Sequence, residues 1–560
     1  MTLPADPGSG QTPGGDPQEG SGTGSGASAQ GGPENGTPER EGSLARAGSL
    51  VASMTMVSRV LGLVRDVVIA SVFGARPEAD AFFVAFKIPN FFRRLFAEGA
   101  FSQGFVPVLA EYRTTRSGAE VRRLIGRVAG LLGIVLLVLT VLGVFGADFV
   151  ISLFAPGFGD EADSGDSPGR RALAVEMLRI TFPYLLLISL TALCGGVLNT
   201  FGRFAVPAFT PVWLNVALIA AALGLAPRLD EPVLALAWGV LIAGILQLMF
   251  QFPALARIRM LAVPTIAPRD PGVRQILRLM LPAAFGASVS QINLLVDTLL
   301  ASFLAAGSIS WLYYADRLME LPLGIFAIAL ATVLLPRLSA SHARGDRAAF
   351  SLALDQGLRL GLLLTLPAAI ALLVLAGPLI ATLFHYGAMQ QSDVHAAAGA
   401  LQAYSLGLIG FTGVKILASG FFSRQDTRTP VRIAVIAVVT NVVLNLLLIG
   451  PLAHVGLALA TSIAALLNAG LLLRGLLLGD HWQRQSGWPA FLARLAAACG
   501  GLAAVLLLVS PGIADWLAAD IGARALWMAG LIALGVITYF IVLALTGLGP
   551  RRLWRDLVGR

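Results

Sequence analysis

Charge is scarce in this chain. Only 13% of its 560 residues are Asp, Glu, Lys or Arg, about half the share found in a soluble domain. That shortage argues against a conventional water-soluble fold. Lysine is nearly missing, with Lys87 and Lys415 the only two. The two cysteines, Cys194 and Cys499, both sit in apolar runs, where they read as small buried residues rather than a disulfide framework. With 5 His and 2 Cys there is no metal-ligand cluster of the usual spacing. Nor is there a nucleophile triad or a phosphate-cradling glycine loop. These absences speak against an enzyme. The net charge of +8 could suit nucleic acid, but the arginines are scattered over short loops, which membrane topology explains better.

What the chain does have is apolar length. Hydrophobic residues make up 56% of it and the mean hydropathy is +0.78. Crossing a bilayer takes about 20 apolar residues, and the runs predict an all-α polytopic membrane protein with 14 transmembrane helices. The expected spans are 50–73, 79–110, 124–154, 173–200, 208–226, 232–256, 275–306, 310–338, 352–384, 396–422, 431–450, 455–478, 488–511 and 524–547. The domain reading is a disordered cytoplasmic tail over 1–48, an N-lobe over 49–257, a C-lobe over 273–478, two further helices within 488–548 and a cytoplasmic C-terminus over 549–560. The tail is rich in Gly, Ser, Pro and acidic residues and lacks the apolar mass to fold. It is not a signal peptide, because no basic start precedes an apolar core, and it is expected to be a dispensable extension. With both termini in the cytoplasm, 24 loop arginines fall on the cytoplasmic side and five (Arg76, Arg170, Arg171, Arg228 and Arg524) on the other. That asymmetry follows the positive-inside rule.

The chain reads as duplicated. Leu153-Phe154 followed by Gly157 recurs as Leu383-Phe384 followed by Gly387. Asp66 followed by Ala70-Ser71 recurs as Asp297 followed by Ala301-Ser302, and Pro107 matches Pro336. Six helices separate equivalent points, so the orientation is kept. The expectation is two six-helix lobes in parallel repeat, with the last two helices outside it and the substrate between the lobes.

Charges inside such spans are costly and tend to be functional. The first helix carries Arg59, Arg65 and Asp66. Arg59 and Asp66, seven apart, fall close to one face, with Arg65 on a neighbouring face. Two arginines exceed what one aspartate can neutralise, so an anion-accepting cavity is favoured over a purely structural ion pair. The second helix contains Pro89, which interrupts its ladder, then Arg93, Arg94 and Glu98. Arg94 and Glu98 are spaced to pair, while Arg93 has no such local partner. Asp80 reads equally as an N-terminal cap or a gate residue. In the eighth helix, Arg317 is expected to face the cavity while Asp316 and Glu320 anchor other helices. Arg59, Arg65, Arg93 and Arg317 suit a phosphate group through bidentate bonding; a cationic drug would call for carboxylates and aromatics instead. Asp297, Asn441, Asn445 and Thr461 form a quieter cluster. It reads either as a sodium site or as interhelical hydrogen bonding.

At these residues the sequence resembles the MurJ (MviN) family of lipid II flippases. The matching motifs are Ser53-Met54-Thr55-Met56 with Ser58-Arg59-Val60-Leu61-Gly62, and Asp80-Ala81-Phe82-Phe83-Val84-Ala85-Phe86-Lys87. They continue with Arg93-Arg94-Leu95-Phe96-Ala97-Glu98-Gly99-Ala100-Phe101-Ser102-Gln103, Tyr313-Tyr314-Ala315-Asp316-Arg317-Leu318-Met319-Glu320 and Phe422-Ser423-Arg424-Gln425-Asp426. The resemblance runs from about residue 49 to the C-terminus. It implies a multi-pass transporter of the bacterial inner membrane that flips the undecaprenyl-diphosphate-linked peptidoglycan precursor by alternating access. It implies cavity arginines at Arg59, Arg65, Arg93 and Arg317, important acids at Asp66, Asp80 and Glu98, and a groove for the lipid tail at the last two helices. Sodium is a candidate coupling ion through Asp297, Asn441, Asn445 and Thr461, with Asn445 standing where some relatives have a carboxylate; the membrane potential is the other candidate drive. No other cofactor is expected. The expected partners are lipid II, membrane lipids and proteins of cell-wall synthesis. The alternatives are an exporter of another polyprenyl-diphosphate-linked sugar or of small cationic molecules and, from a different class, a scaffold for cell-wall enzymes.

Overall fold

The computed structural model describes residues 38–94, 100–159, 169–479 and 482–548. Within them the chain is helical, without strands. The N-half comprises α1 (Pro38–Phe73), α2 (Pro77–Arg93), α3 (Ala100–Thr115), α4 (Gly118–Phe145), α5 (Ala147–Phe154), α6 (Arg170–Thr181), α7 (Tyr184–Thr200), α8 (Ala205–Ala220) and α9 (Leu234–Arg257). The C-half comprises α10 (Pro271–Ser302), α11 (Ser308–Pro322), a π-helical turn (Leu323–Ala327), α12 (Ile328–Ala343), α13 (Arg347–Val374), α14 (Ala376–Phe384), α15 (Gln391–Phe422) and α16 (Arg428–Leu478). The chain ends with α17 (Trp488–Val509), α18 (Ile513–Ala518) and α19 (Ile521–Leu545).

Helix ends follow local sequence. Ser117 and Glu120 form a reciprocal capping box at the start of α4. Asp270 caps α10 ahead of Pro271, and Asp346 and Asp520 cap α13 and α19. α16 covers two of the expected spans in one run, bent at Ala453 (φ 47°, ψ −130°) just after Pro451. α1 begins at Pro38, earlier than the boundary at residue 48 read from composition. Proline in the first turn with Glu39 and Glu41 beside it is a favourable helix start.

Among the described residues, nine helices are long and apolar enough to cross a membrane. Four further stretches are α1, α2 with α3, α10, and α11 with α12. These are the segments that carry Arg59, Arg65 and Asp66, then Asp80, Lys87 and Arg93, then Asp297, then Asp316, Arg317 and Glu320. α2, α3, α11 and α12 are each too short to cross a bilayer alone, and α1 carries three charges within its apolar run. The lipid-facing character lies elsewhere: Phe145, Leu508 and Leu545 are more than four-fifths exposed.

Three hydrophobic cores hold the helices. The largest draws on both halves and is built around Ile69, Phe82, Phe83, Tyr314 and Phe384. A second joins α13, α15 and α16 to α17 and α19 through Leu354, Phe421, Leu476, Leu495 and Leu543. A third, with Phe105, Leu124, Val197 and Ile276, lies in the N-half and the start of α10. The halves therefore share the first core, near the start of α2, and meet again in the third, where α3 packs against the start of α10. At the shared core the repeated motifs meet each other. The Gly157 N–H donates to Ser302 Oγ at 2.9 Å, and the Ala388 N–H donates to the Ser71 carbonyl at 2.8 Å. Gly387, at φ 57°, allows that approach, because a Cβ there would collide with Ser71 O.

Candidate functional site

Arg65 lies at the centre of the polar interior, 6% exposed. Its guanidinium donates twice to Asp66 Oδ1, from Nε at 2.9 Å and Nη2 at 2.7 Å. Nη2 also reaches Tyr313 Oη at 3.0 Å, and Nη1 reaches Asn215 Oδ1 at 3.0 Å. Tyr313 Oη in turn donates to Asp66 Oδ1 at 2.9 Å. A buried ion pair of this kind holds together only because nearly every polar atom is bonded, since each ion costs several kcal/mol to desolvate. The pairing is between neighbours in sequence. Helix periodicity placed Arg59, not Arg65, on the Asp66 face; the long arginine side chain folds back along the helix and overrides that geometry.

Across the interface, Arg317 on α11 stacks over the Tyr313 ring at 4.8 Å and comes within 3.8 Å of Asp66 Oδ2. It also bonds Glu320 Oε2 at 2.9 Å. Glu320 therefore pairs with Arg317 itself, one turn along, and does not anchor another helix among the described residues. Tyr313 stacks on Phe83 of α2 at 4.0 Å, so one tyrosine ties α1, α2 and α11 together.

Arg59 lies two turns before Arg65 on α1, against the π-helical turn that follows α11. An ideal Cβ at Gly324 would overlap Arg59 Nη1 and lie 2.6 Å from both Cζ and Nη2. The guanidinium rests on the bare backbone at Gly324, where any side chain would make it shift. π-Helical turns of this sort often mark functional positions. Arg93 does have a local partner, contrary to expectation: its Nε donates to Asn90 Oδ1 at 3.1 Å, one turn back. Arg94 ends α2, and Glu98 lies outside the described residues.

Asp80 sits elsewhere. Thirteen residues separate it from Arg93, about 20 Å along a helix. It caps a helix, but not its own: Oδ2 accepts the Gly307 N–H at 2.7 Å, and Oδ1 accepts the Ser310 N–H at 2.8 Å and the Ser310 hydroxyl at 2.6 Å. The Asp80 carboxylate, 1% exposed, thus binds the N-terminus of α11 from the opposite half. Cap and link between halves are one arrangement.

The remaining predicted residues form a separate cluster. Asp297 Oδ1 accepts Asn445 Nδ2 at 2.7 Å and Asn441 Nδ2 at 3.2 Å, and the Thr461 hydroxyl is buried without a hydrogen-bond partner among the described residues. Asn441 also donates to Asn293 Oδ1 at 2.5 Å. The Oδ1 atoms of Asn441 and Asn445 are buried without a hydrogen-bond partner among the described residues. Lys87 of α2 connects this cluster to the N-half through Thr298 Oγ1 at 3.3 Å. No group of three His, Cys, Asp or Glu that could hold a metal occurs among the described residues.

Sequence reasoning missed Asn215, Gly324 and the hub role of Tyr313. Asn215 carried a signal, since it lies 230 residues before Asn445, the spacing of the repeat. Gly324 carried none, because one glycine among 62 is silent until the facing side chain is placed.

Comparison with known proteins places this geometry in context. A family model described as lipid II flippase MurJ matches residues 69–521. A Vibrio cholerae protein named probable lipid II flippase MurJ is 49% identical over 507 residues, covering 90% of this chain and 96% of that protein. A Burkholderia cenocepacia protein named lipid II flippase MurJ is 44% identical over 480 residues, covering 85% and 90%. A solved structure of lipid II flippase MurJ in an inward closed conformation superimposes with a TM-score of 0.75 at 28% identity, covering 91% of this chain and 99% of that one. An inward-facing multidrug transporter of the MATE family shares the fold at a TM-score of 0.61 and 17% identity, covering 77% and 97%.

Proposed function

The chain belongs to the lipid II flippase MurJ family, and from that premise we propose that it is a transporter that flips lipid II from the cytoplasmic to the outer face of the bacterial inner membrane. Fourteen transmembrane helices in two parallel six-helix lobes, plus two extra C-terminal helices, carry the cycle, with both termini in the cytoplasm. Arg59, Arg65 and Arg317, together with Arg93, receive the diphosphate and sugar-peptide head while the polyprenyl tail stays in lipid beside the last two helices. The lobes then rock to present the head outside.

The observation that carries this reading is the arginine cluster spanning both halves inside the polar interior. Arg65 and Arg317 both reach Asp66 and Tyr313, and Arg59 rests on the C-half at Gly324. A diphosphate entering there exchanges intramolecular partners for charge-assisted bonds of its own. That exchange couples head-group binding to the contact between the lobes. Alternating access is supported by the Asp80 cap, a single carboxylate that ties the N-terminus of α11 to α2 within the shared core. An exporter of cationic molecules fits poorly, since arginines line the interface.

The test is the sidedness of lipid II in cells after rapid inactivation of the protein, read with an enzyme that cuts only precursor exposed outside. Collapse of the outer fraction with a rise in total lipid II is the expected result; an unchanged outer fraction refutes the proposal. Arg59→Ala and Arg317→Ala should each reproduce the collapse while the protein remains folded.

A second reading concerns ion coupling. The two partnerless asparagine oxygens beside Asp297, with the Thr461 hydroxyl, form an all-oxygen set that suits sodium better than a softer metal. One carboxylate among neutral oxygens makes weak binding the expectation. Melting of the purified protein in sodium against potassium tests this; identical curves up to high sodium count against it.

A further inference from the structure

The sequence repeat extends to the chemistry of the two polar clusters. Asp66 corresponds to Asp297 at a shift of 231, and Asn215 corresponds to Asn445 at a shift of 230. Each half therefore places one buried carboxylate from one helix near one buried asparagine from another. The two sites are finished differently. In the C-half, Asn445 turns its amide nitrogen to Asp297 and leaves Oδ1 without a partner. In the N-half, Asn215 turns Oδ1 toward Arg65 Nη1, at 3.0 Å, and donates its Nδ2 to the Ser58 carbonyl, at 3.0 Å. The guanidinium fills the gap between carboxylate and amide. At the position equivalent to Arg65 the C-half has Val296, which has no charge to offer.

We propose that Asn215 is the positioning residue of Arg65, and that the Arg65 guanidinium permanently occupies, in the N-half, the place between carboxylate and amide that no side-chain cation among the described residues fills in the C-half, where Lys87 reaches the cluster only through Thr298. The N-half site is closed to ions by its own side chain. Asn215 fixes Nη1 on one side, and Asp66 with Tyr313 fixes Nε and Nη2 on the other. The guanidinium plane is thereby set before any substrate arrives. The Nδ2 bond to Ser58 pins the same amide to the turn of α1 that carries Arg59. Asn215, 5% exposed, acts through the arginine and does not itself touch the lipid head. This inference rests on the reading of Arg65 as a head-group ligand.

The test uses the purified full-length protein and fluorescent lipid II. Asn215→Leu keeps the volume of the side chain and removes both bonds; it is expected to weaken lipid II binding at least tenfold while leaving the melting temperature within a few degrees. Asn215→Asp restores the oxygen that receives Nη1 but not the Ser58 bond, and is expected to recover most of the binding. Packing alone predicts the opposite order. The decisive readout is chemical rescue. Guanidinium ion at millimolar concentration should restore lipid II binding to Arg65→Ala, and should fail to do so in the Arg65→Ala/Asn215→Leu double variant. Absent rescue in the single variant, or equal rescue in both, overturns the proposal. If Arg65→Ala binds lipid II like the wild type, the head-group reading itself fails. If Arg65→Ala is defective and Asn215→Leu is silent, only the positioning role fails.

Discussion

Neutralising Asp80 should open the end of the protein at which it sits, the outer end in the proposed topology. Asp80→Asn keeps one carbonyl oxygen for Ser310 and replaces the oxygen facing the Gly307 N–H with an amide that can only donate. One hydrogen bond to a charged group is lost, at about 1.5–3 kcal/mol. The favourable charge at the N-terminus of α11 is lost too, at about 0.3–1 kcal/mol. The sum, roughly 3 kcal/mol, acts on the closed arrangement alone, because an open outer end would let water solvate the same groups. At about 1.4 kcal/mol per factor of ten, the closed-to-open ratio should fall on the order of 100-fold. Ala79 is fully buried beside Asp80. In a background without Cys194 and Cys499, an Ala79→Cys reporter should react slowly with a membrane-impermeant maleimide added outside whole cells. With Asp80→Asn present it should react up to 100-fold faster, limited by how open the unmodified protein already is. An unchanged labelling rate at an unchanged protein level would refute the claim that this carboxylate holds the two halves together.

Gly324→Ala should abolish most flipping, because the added Cβ displaces the Arg59 guanidinium; outer-face lipid II would report it, and wild-type sidedness would show that Arg59 does not need this seat. Asn445→Asp supplies a second carboxylate beside Asp297 and should raise sodium affinity at least tenfold, measured as a sodium-dependent gain in melting temperature. Arg524 is buried with bonds to the carbonyls of Ala381, His385 and Leu517, so Arg524→Ala leaves helix-end carbonyls unpaired and should cost about 3 kcal/mol of stability, read as a lower melting temperature. Arg524 Nη2 also meets His385 Nδ1 at 3.2 Å. Burial and the Arg524 charge push His385 below its ordinary value of 6.5, so the fold favours neutral His385. Its contribution is therefore full above pH 6.5 and declines as pH falls through that value toward the lower folded one. His385→Gln should flatten the acid side of a melting-temperature profile, and a profile of unchanged shape would refute the assignment.

Much of the architecture was legible before any coordinates. Hydrophobic run length depends only on composition over about 20 residues, so each expected span falls on helix in the described residues. The motifs read as repeats pack against one another in the fold, where Gly387 meets the Ser71 carbonyl. Partner identity was harder to read. Periodicity put Arg59 and Asp66 close to one face, whereas the arginine beside Asp66 took the pair. Glu320 seemed free to anchor another helix and instead neutralises Arg317. Asp80 presented equally as a cap or a gate because the groups that donate to it belong to a helix 227 and more residues away.

The sequence by itself determined that this is a polytopic membrane protein of the MurJ family with arginines where lipid should be, since hydropathy and motif identity are properties of the chain read in order. Tertiary structure alone decided which charges neutralise one another and where the remainder point. Hydrogen bonds of about 3 Å and the seating of Arg59 on Gly324 depend on distances between helices far apart in sequence, and no local pattern of residues encodes those distances.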